Sequence, residues 1–458
     1  MTSRRLLLFS LLAFIVVAAC KSGSAGAPGR LVFGTLPPTV KAGQNFGPLT
    51  VAISDSAGHP STSATNPVTL YLEHNPPGAT LGGTLTVNAV AGVATFDNLT
   101  IDAASDQYQL AAFAAGLTPG VSPTFVIAPP TGALIPVPGS PFATGDTLPV
   151  AMTVDHAGKF LYVGNETGAS VAGFAIDSSG ALSPVPGSPF SNAYSSGLPG
   201  GLAVDSSGQY VISPDPGAQN IMSYAFAGSG TLSPISSIPS QYSTSIVADP
   251  IAPILFAANQ FNSTVSTFSI AANGTLTQLG SAISTAGQQP MALGIDPAGK
   301  FLFVLTQVNL QVFTITGGVL APTATAWPAG TGGGAVAIDR TGNFVYIASV
   351  AEKDVYGYRI NADGSLTDVA GSPFLAGAFA RLGLAANPNV NVLYMVSNNL
   401  RVSQLVLTSS GVISGALANF VPTSGPNSAV AIDRQGKHLF VTTPGSSGGK
   451  VFAYTIAQ

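Results

Sequence analysis

The feature that most constrains the fold is a short pattern that recurs seven times in the second part of the chain. Five clear copies begin with Asp, have Gly three residues later and continue into an apolar run. They occupy residues 155–163, 205–211, 296–304, 339–347 and 433–441, and two weaker copies occupy residues 249–256 and 387–394. The copies begin 43 to 50 residues apart, and self-similarity at this period is typical of propellers and solenoids.

Each repeat contains two turns and therefore four strands. Asp-x-x-Gly predicts a tight hairpin, because Asp accepts hydrogen bonds from its own turn and Gly adopts a positive φ without steric cost. A second turn precedes the last strand of the unit, as at residues 177–180. In the first unit we expect strands near residues 150–154, 160–164, 170–176 and 181–187. Four strands in each of seven units describe a seven-bladed β-propeller.

The two ends of this region predict how the ring closes. The last unit supplies three strands before the chain ends. Residues 133–142 nearly duplicate residues 181–190, which hold the outermost strand of the first unit. We therefore expect residues 133–139 to join the last blade, which removes its open edge, and we assign residues 129–458 to the propeller.

A separate segment, residues 30–128, alternates short apolar runs with turns rich in Gly, Pro and Asp. Six or seven short strands in ~100 residues predict a β-sandwich. Residues 51–58, 82–87, 92–96 and 108–112 resemble bacterial immunoglobulin-like domains of surface proteins. The resemblance implies a spacer or adhesion module. The predicted fold class is therefore all-β, with an immunoglobulin-like β-sandwich followed by a seven-bladed β-propeller.

The N-terminal segment predicts export from the cytoplasm. Arg4 and Arg5 precede an apolar run over residues 6–19, and this order is typical of a secretory signal peptide. The run is too short to span a membrane comfortably as a permanent helix. We assign residues 1–19 to a signal peptide.

A lipid anchor is expected directly after this signal. Residues 17–20, Val-Ala-Ala-Cys, resemble the lipobox of bacterial lipoproteins, and Cys20 is the only cysteine of the chain. The resemblance implies that Cys20 is lipidated and attaches the protein to a membrane, with residues 20–29 as a flexible tether. Lys21 favours the outer membrane, on its periplasmic or surface side, by resemblance to sorting in Gram-negative bacteria. An ordinary signal peptide with an incidental cysteine is the alternative.

Charged residues are scarce and unevenly placed. They make up 7% of the chain, and the formal net charge is −4, whereas ordinary domains contain about 25% charged residues. The sequence therefore lacks the basic field that nucleic-acid binding requires. Eleven charges lie on the Asp-x-x-Gly hairpins, where we expect turn and solubility roles: Asp155, Lys159, Asp205, Asp249, Asp296, Lys300, Asp339, Arg340, Asp433, Arg434 and Lys437.

The hairpin pattern, with its Gly-Ala-Leu and Gly-Ser-Leu turns, resembles the lactonase-type seven-bladed propellers, which include 6-phosphogluconolactonase-like proteins. The resemblance implies a Pro-Arg-His entry to an innermost strand and an Asn-Glu pair after a second strand. Asn165 and Glu166 match that pair and are the implied catalytic candidates. The Pro-Arg-His element is missing from every repeat. His156 and His438, the two histidines of the region, lie in hairpins, so the usual residue for proton transfer near neutral pH is lacking.

The face opposite the hairpins is where we expect a ligand, because loops from every blade meet there around the channel. The predicted ligand-binding residues are Asn165, Glu166, Asn259, Gln289, Lys353, Arg381, Asn398 and Arg401. We expect no cofactor, metal or nucleic acid. One hypothesis is a lipid-anchored cell-envelope protein that binds a glycan, a protein or a small molecule without catalysis. The alternative is a lactonase-family hydrolase of a lactone substrate.

Overall fold

The structure, a computed structural model, describes residues 28–36, 39–75, 77–166, 168–191, 201–375, 383–397, 401–416, 421–422, 429–444 and 448–458. These residues form strands and turns and no helices, as the all-β prediction requires. Within these ranges there is accordingly no helix with the length and apolarity needed to cross a membrane. The chain divides into two compact units, with the boundary between Pro130 and Thr131.

The first unit contains eleven strands among its described residues. They are β1 (Pro28–Phe33), β2 (Val40–Lys41), β3 (Leu49–Asp55), β4 (Pro67–His74), β5 (Leu81–Gly82), β6 (Thr86–Asn88), β7 (Val93–Phe96), β8 (Thr100–Ile101), β9 (Ser105–Phe113), β10 (Gly120–Val121) and β11 (Phe125–Ala128). One sheet has the order β1-β3-β7 and a second has the order β2-β11-β9-β4-β6, with β10 beside β9. Strands β5 and β8 form a separate pair.

The two larger sheets of this unit share a single hydrophobic core. Leu49, Val51 and Ile53 alternate along β3 and are fully buried in it, as the two-residue period of a strand with one covered face requires. Tyr108 of β9 belongs to the same core, and its hydroxyl donates a hydrogen bond to the carbonyl of Ala103 at 2.9 Å. The buried ring therefore keeps its polar atom satisfied.

The second unit consists of seven sheets, each with four main strands, which we number as blades 1 to 7. Blade 1 contains β14 (Pro149–Val154), β15 (Phe160–Asn165), β16 (Ser170–Ile176) and β17 (Leu182–Pro184); blade 2 contains β19 (Ala203–Val204), β20 (Tyr210–Asp215), β21 (Asn220–Phe226) and β22 (Leu232–Pro239); blade 3 contains β23 (Ser243–Ala248), β24 (Ile254–Asn259), β25 (Thr264–Ile270) and β26 (Leu276–Gln278). Blade 4 contains β28 (Pro290–Ile295), β29 (Phe301–Thr306), β30 (Asn309–Thr316) and β31 (Val319–Pro328); blade 5 contains β32 (Gly334–Ile338), β33 (Phe344–Ser349), β34 (Asp354–Ile360) and β35 (Leu366–Asp368). Blade 6 contains β37 (Gly383–Ala386), β38 (Val392–Ser397), β39 (Arg401–Leu407) and β40 (Ile413–Ala416); blade 7 contains β42 (Ala429–Ile432), β43 (His438–Thr443), β44 (Lys450–Ile456) and β12 (Leu134–Pro136).

Short additional strands extend the outer side of five blades. They are β13 (Phe142–Ala143), β18 (Phe190–Ser191), β27 (Ile283–Ser284), β36 (Phe374–Leu375) and β41 (Val421–Pro422), and each pairs with the third strand of its blade.

Blade 7 joins the two ends of the second unit. Strand β12 pairs antiparallel with β44, with Leu134 opposite Ile456 and Pro136 opposite Tyr454. The backbone N–H of Leu134 also donates to Gln404 Oε1 of blade 6 at 3.1 Å. The first strand of the unit therefore lies beside the last one, and the seventh sheet has four main strands like the other six.

The second strand of each blade forms the densest part of the propeller. Neighbouring sheets cover both of its faces, so it is a continuous apolar run rather than an alternating one. Tyrosines on these strands also link neighbouring blades: the Tyr162 hydroxyl donates to Gly230 O at 2.9 Å and that of Tyr346 donates to Gly411 O at 2.7 Å. Burial raises the pKa of both tyrosines, so both hydroxyls remain protonated donors.

Hairpins join the first two strands of each blade at one end of the propeller, which we call the hairpin face, and in five of the seven blades they have the sequence Asp-x-x-Gly. Asp155 is buried and accepts backbone hydrogen bonds from Ala157 at 3.1 Å and from Lys159 and Phe160 at 2.6 Å. Gly158 has a φ of 68°, which a residue with a Cβ adopts only under strain. The repeated Asp and Gly are thus explained by the geometry of the turn.

Candidate functional site

The first strands of all seven blades surround a central channel. Its cavity has a volume of about 300 Å³. The lining residues are apolar except for Ser245: Val150, Ala151, Met152, Gly201, Leu202, Ser245, Met291, Ala292, Leu293, Gly334, Ala335, Val336, Gly383, Leu384, Ala429 and Val430. The described lining therefore holds neither a charged residue nor a histidine.

The last residue of the second strand is polar in every blade, at the end opposite the hairpins, which we call the loop face. These residues are Asn165, Asp215, Asn259, Thr306, Ser349, Ser397 and Thr443. All those whose side chains are described are buried. They close the loop to the third strand: Asp215 Oδ1 accepts from Ala218 N–H at 3.0 Å, and Thr306 Oγ1 donates to Asn309 O at 2.9 Å. A polar residue at this position is therefore explained by its role in stabilising the loop, and its presence alone does not indicate catalysis.

Asn165, the first half of the predicted Asn-Glu pair, lies in a small polar cluster of blade 1. Its Nδ2 donates to Ser170 Oγ at 3.2 Å, and Ser170 Oγ donates to Asp146 Oδ2 at 2.6 Å. Asn165 Oδ1 is buried and has no hydrogen-bond partner among the described residues. Ser170 is buried and bonded to a carboxylate rather than to an imidazole, so this cluster does not provide an activated nucleophile that a substrate can reach.

Glu166 follows this cluster at the start of the loop between β15 and β16. Its backbone N–H donates to Leu148 O at 2.9 Å, and its side chain is partly exposed. The corresponding residue is Gln260 in blade 3 and Gln307 in blade 4. An amide at this position is therefore compatible with the blade structure.

Asn259 occupies the same position in blade 3, and its contacts are all internal. Its Oδ1 accepts from Ser243 Oγ at 2.8 Å, and its Nδ2 donates to Thr264 Oγ1 at 3.0 Å and Ser266 Oγ at 2.8 Å. The side chain is fully buried. These bonds connect the first, second and third strands of blade 3. Asn259 could make the predicted contact with a ligand only by breaking these internal hydrogen bonds.

The other predicted ligand residues are dispersed around the ring. Gln289 Oε1 accepts from Gln307 Nε2 at 2.9 Å, so these two amides meet between neighbouring loops of blade 4. Lys353 has a φ of 64° in the loop before β34, and Arg401 is the exposed first residue of β39. Arg381 and Asn398, like Cys20, lie outside the described residues.

Glu352 is a loop-face carboxylate that is not among the predicted ligand-binding residues. It accepts hydrogen bonds from Thr331 N–H at 2.8 Å, from Thr331 Oγ1 at 2.9 Å and from Ser349 Oγ. These bonds, with that of Ser349 the most important, lower the pKa of Glu352 to about 2. Glu352 is thus a fixed anion that holds the loop before β32. Ser349, the polar residue that ends β33, is the feature of the sequence that could have indicated this contact.

The two propeller histidines lie on the hairpin face, as the sequence predicted. His438 Nδ1 lies 2.8 Å from Asp433 Oδ2 in a buried pair. His156 contacts Arg434, and burial, followed by the charge of Arg434, lowers its pKa. No cluster of His, Cys, Asp and Glu able to hold a metal ion occurs in the part of the chain that the structure describes.

Comparison with known proteins agrees with this architecture. The family model “Lactonase, 7-bladed beta-propeller” matches residues 131–248 and 240–322. No curated protein sequence matches the chain. Similar solved structures include a Bacteroides uniformis protein proposed to be a 6-phosphogluconolactonase, with 14% identity, a TM-score of 0.52 and coverage of 79% of this chain and 98% of that one.

Two further structures show how widely this fold is used. The periplasmic gluconolactonase of Pseudomonas aeruginosa is 16% identical, with a TM-score of 0.50 and coverage of 70% of this chain and 94% of that one. A hydrazine synthase structure from Kuenenia stuttgartiensis is 15% identical, with a TM-score of 0.52 and coverage of 69% and 98%. The second unit is therefore a seven-bladed β-propeller, and residues 131–322 of it resemble the lactonase family model. Similarity at this level shows the fold, and a shared fold does not fix an activity.

Proposed function

We propose that this protein is a lipid-anchored protein of the cell envelope whose propeller binds a ligand without converting it chemically. The observation that carries the proposal is the channel lining, to which seven blades contribute apolar side chains and a single serine. A general acid or base needs a pKa near the working pH and access to the substrate. The described lining offers no titratable side chain, so shape and neutral hydrogen bonds are what it can contribute.

The proposed contacts lie in the loops around the channel mouth. Gln289 and Gln307 supply amide groups there, and Gln260 Nε2 lies 3.3 Å from the sulfur of Met291, a channel residue. Lys353, Arg381, Asn398 and Arg401 remain proposed contacts from the sequence. Such a mouth, apolar at the centre and polar at the rim, is suited to an uncharged glycan, a small molecule or a protein loop.

Hydrolysis of a lactone is the second candidate function. It is favoured by the lactonase family model and by the buried Asn165 Oδ1, an acceptor without a partner among the described residues, beside the partly exposed Glu166. In this proposal Glu166 is the general base and Asn165 orients the substrate or a water molecule.

A lactone screen separates the two candidates. The purified protein and its Glu166→Gln variant are incubated with gluconolactone, 6-phosphogluconolactone and acyl-homoserine lactones, and ring opening is followed by pH-stat. We expect both proteins to match the spontaneous rate. Because Gln is native at positions 260 and 307, this variant should fold normally. Turnover that is present in the parent protein and absent from the variant would establish the hydrolase and refute the binding proposal.

The membrane attachment rests on the sequence around Cys20 and is tested separately. Cells expressing the protein are labelled with radioactive palmitate, and we expect label in the parent protein and none in Cys20→Ala. Inhibition of the lipoprotein signal peptidase should cause the unprocessed precursor to accumulate. A labelled Cys20→Ala protein would refute the anchor.

We propose an immunoglobulin-like spacer for the first unit. Two features support it: a core shared by two sheets, whose strands pair antiparallel apart from the parallel pair β2 and β11, and the hydrogen bond from the Tyr108 hydroxyl to Ala103 O, five residues upstream. That bond resembles the tyrosine corner of immunoglobulin-type domains. In this proposal the unit is a spacer module that follows the lipid anchor in the sequence.

A further inference from the structure

A groove on the hairpin face is the feature that the proposed function leaves unused. A cavity of about 630 Å³ lies between blades 4 and 5, within the size range of roughly 300–1,000 Å³ typical of ligand sites. Lys300 and Phe301 of the blade 4 hairpin form one wall, and Thr341 and Asn343 of the blade 5 hairpin form another. Arg359, near the end of β34, completes the lining.

The groove continues towards blade 6. A second cavity, of about 360 Å³, is lined by Asn343, Arg359 and the turn residues Ser409 and Ser410. Since both cavities are bounded by Asn343 and Arg359, these two side chains stand at their junction. The site is therefore elongated, with a cation at its middle and a second one, Lys300, on the wall of the larger cavity.

The aspartates of the two hairpins that border the groove are occupied by their own turns. Asp296 Oδ1 accepts from the backbone N–H groups of Lys300 at 2.7 Å and Phe301 at 2.6 Å. Asp339 Oδ1 likewise accepts from Asn343 N–H at 2.9 Å, and both aspartates are buried. Neither of the ion pairs among the described residues includes Lys300 or Arg359. The groove thus presents two exposed cations that form no ion pair with a carboxylate of the described residues.

Arg359 departs from the repeat in a way that the fold does not require. It lies opposite Phe344, the first residue of the second strand in blade 5. The residues in the same register of blades 1, 2, 3, 4, 6 and 7 are small or medium-sized and uncharged: Ala175, Ala225, Ser269, Thr314, Val406 and Thr455. One blade in seven has a long cationic side chain at this position, and the groove is found beside it.

We propose that this groove binds an acidic oligosaccharide through the carboxylate of a uronic acid unit. A guanidinium matches a carboxylate with two parallel hydrogen bonds, and Lys300 adds a point charge. The exposed Asn343 amide suits sugar hydroxyls. The Thr341 hydroxyl donates to Asp339 Oδ2 at 2.5 Å and therefore contributes only as an acceptor. The smaller cavity beyond Arg359 gives a second sugar unit its place.

Saturation-transfer NMR on the purified protein tests this proposal. The probes are galacturonate and digalacturonate, with galactose as the neutral counterpart and inorganic phosphate as a plain anion. We expect millimolar binding of galacturonate, tighter binding of digalacturonate and no binding of galactose. Arg359→Thr, which introduces the residue of blade 4, and Lys300→Ala should each weaken digalacturonate binding at least tenfold.

Lys159→Ala is the matched control. Lys159 occupies the hairpin position of Lys300 in blade 1, where the residue in the register of Arg359 is Ala175, so this variant should bind like the parent protein. Thermal unfolding verifies that all variants are folded. Absence of galacturonate binding, equal binding by folded Arg359→Thr, or phosphate binding as tight as that of digalacturonate would each overturn the proposal.

Discussion

The two ends of the blades make tight connections between strands by different means. On the hairpin face the same solution recurs: a buried aspartate such as Asp155 accepts the backbone N–H groups of its own turn. On the loop face the closing residue changes from blade to blade, from Asn165 to Asp215 to Ser349, and so do its partners. One residue type thus stabilises the turn in most blades at the hairpin face, whereas different polar residues stabilise the connections at the loop face.

The largest effect is expected at the hairpins. Asp155→Ala removes three backbone hydrogen bonds to a buried carboxylate, and we expect the free energy of unfolding to fall by about 3 kcal/mol, measured by urea denaturation. Asp177 is the matched control, since it accepts from Ser179 and Ala181 N–H groups in a similar turn but is exposed. Asp177→Ala should cost much less, and equal losses would show that burial is not what distinguishes the hairpin aspartates.

We expect a smaller effect on stability from substitutions of the loop-face residues Asn259 and Asn165. Asn259→Ala removes three internal hydrogen bonds, and we expect a loss of about 2 kcal/mol in the free energy of unfolding. Asn165→Ala, at the same position of blade 1, removes one bond, and its Oδ1 has no described partner to lose. We expect it to cost about half as much. A greater loss for Asn165 than for Asn259 would mean that the blade 1 cluster is more important to stability than its contacts indicate.

The smallest effect concerns the pH dependence of Glu352. Because hydrogen bonds lower its native pKa from 4.5 to about 2, the unfolded chain binds the proton more readily than the native one. The ionised carboxylate therefore stabilises the native state above about pH 4.5, and this contribution disappears as the pH falls to about 2. Solvent exposure keeps it below about 1 kcal/mol.

The measurement is the difference in unfolding free energy between the parent protein and Glu352→Gln at pH 6 and again at pH 2.5. We expect a small destabilisation at pH 6 that shrinks at pH 2.5. Glu166→Gln, in the corresponding loop of blade 1, should leave stability unchanged at pH 6. A difference for Glu352→Gln that grows with acid would contradict the assigned contacts.

Much of the fold was predictable because the repeat encodes it locally. An Asp followed three residues later by Gly specifies its turn from short-range bonds alone, and the five clear copies together with the two weaker ones give the number of blades. The duplicate of residues 181–190 at residues 133–142 likewise predicted a strand where β12 lies. In the first blade the four predicted strands correspond to β14, β15, β16 and β17.

The candidate binding residues were less predictable from the sequence, because their roles depend on which side chains come into contact in the folded protein. Asn259 and Asn165 follow the same strand pattern, yet one is fully bonded within its blade and the other retains a free acceptor among the described residues. Spacing also could not separate Lys300 from Lys159, although only Lys300 borders a groove with Arg359. These distinctions arise from contacts between blades, which no local pattern records.

The pairing of β12 with β44 also determines how the second unit responds to force. When residue 131 and Gln458 are pulled apart, the force acts at the end of the pair where Leu134 lies opposite Ile456. Because the two strands are antiparallel and both are pulled at this end, we expect their backbone hydrogen bonds to break one after another, and we expect blade 7 to open first.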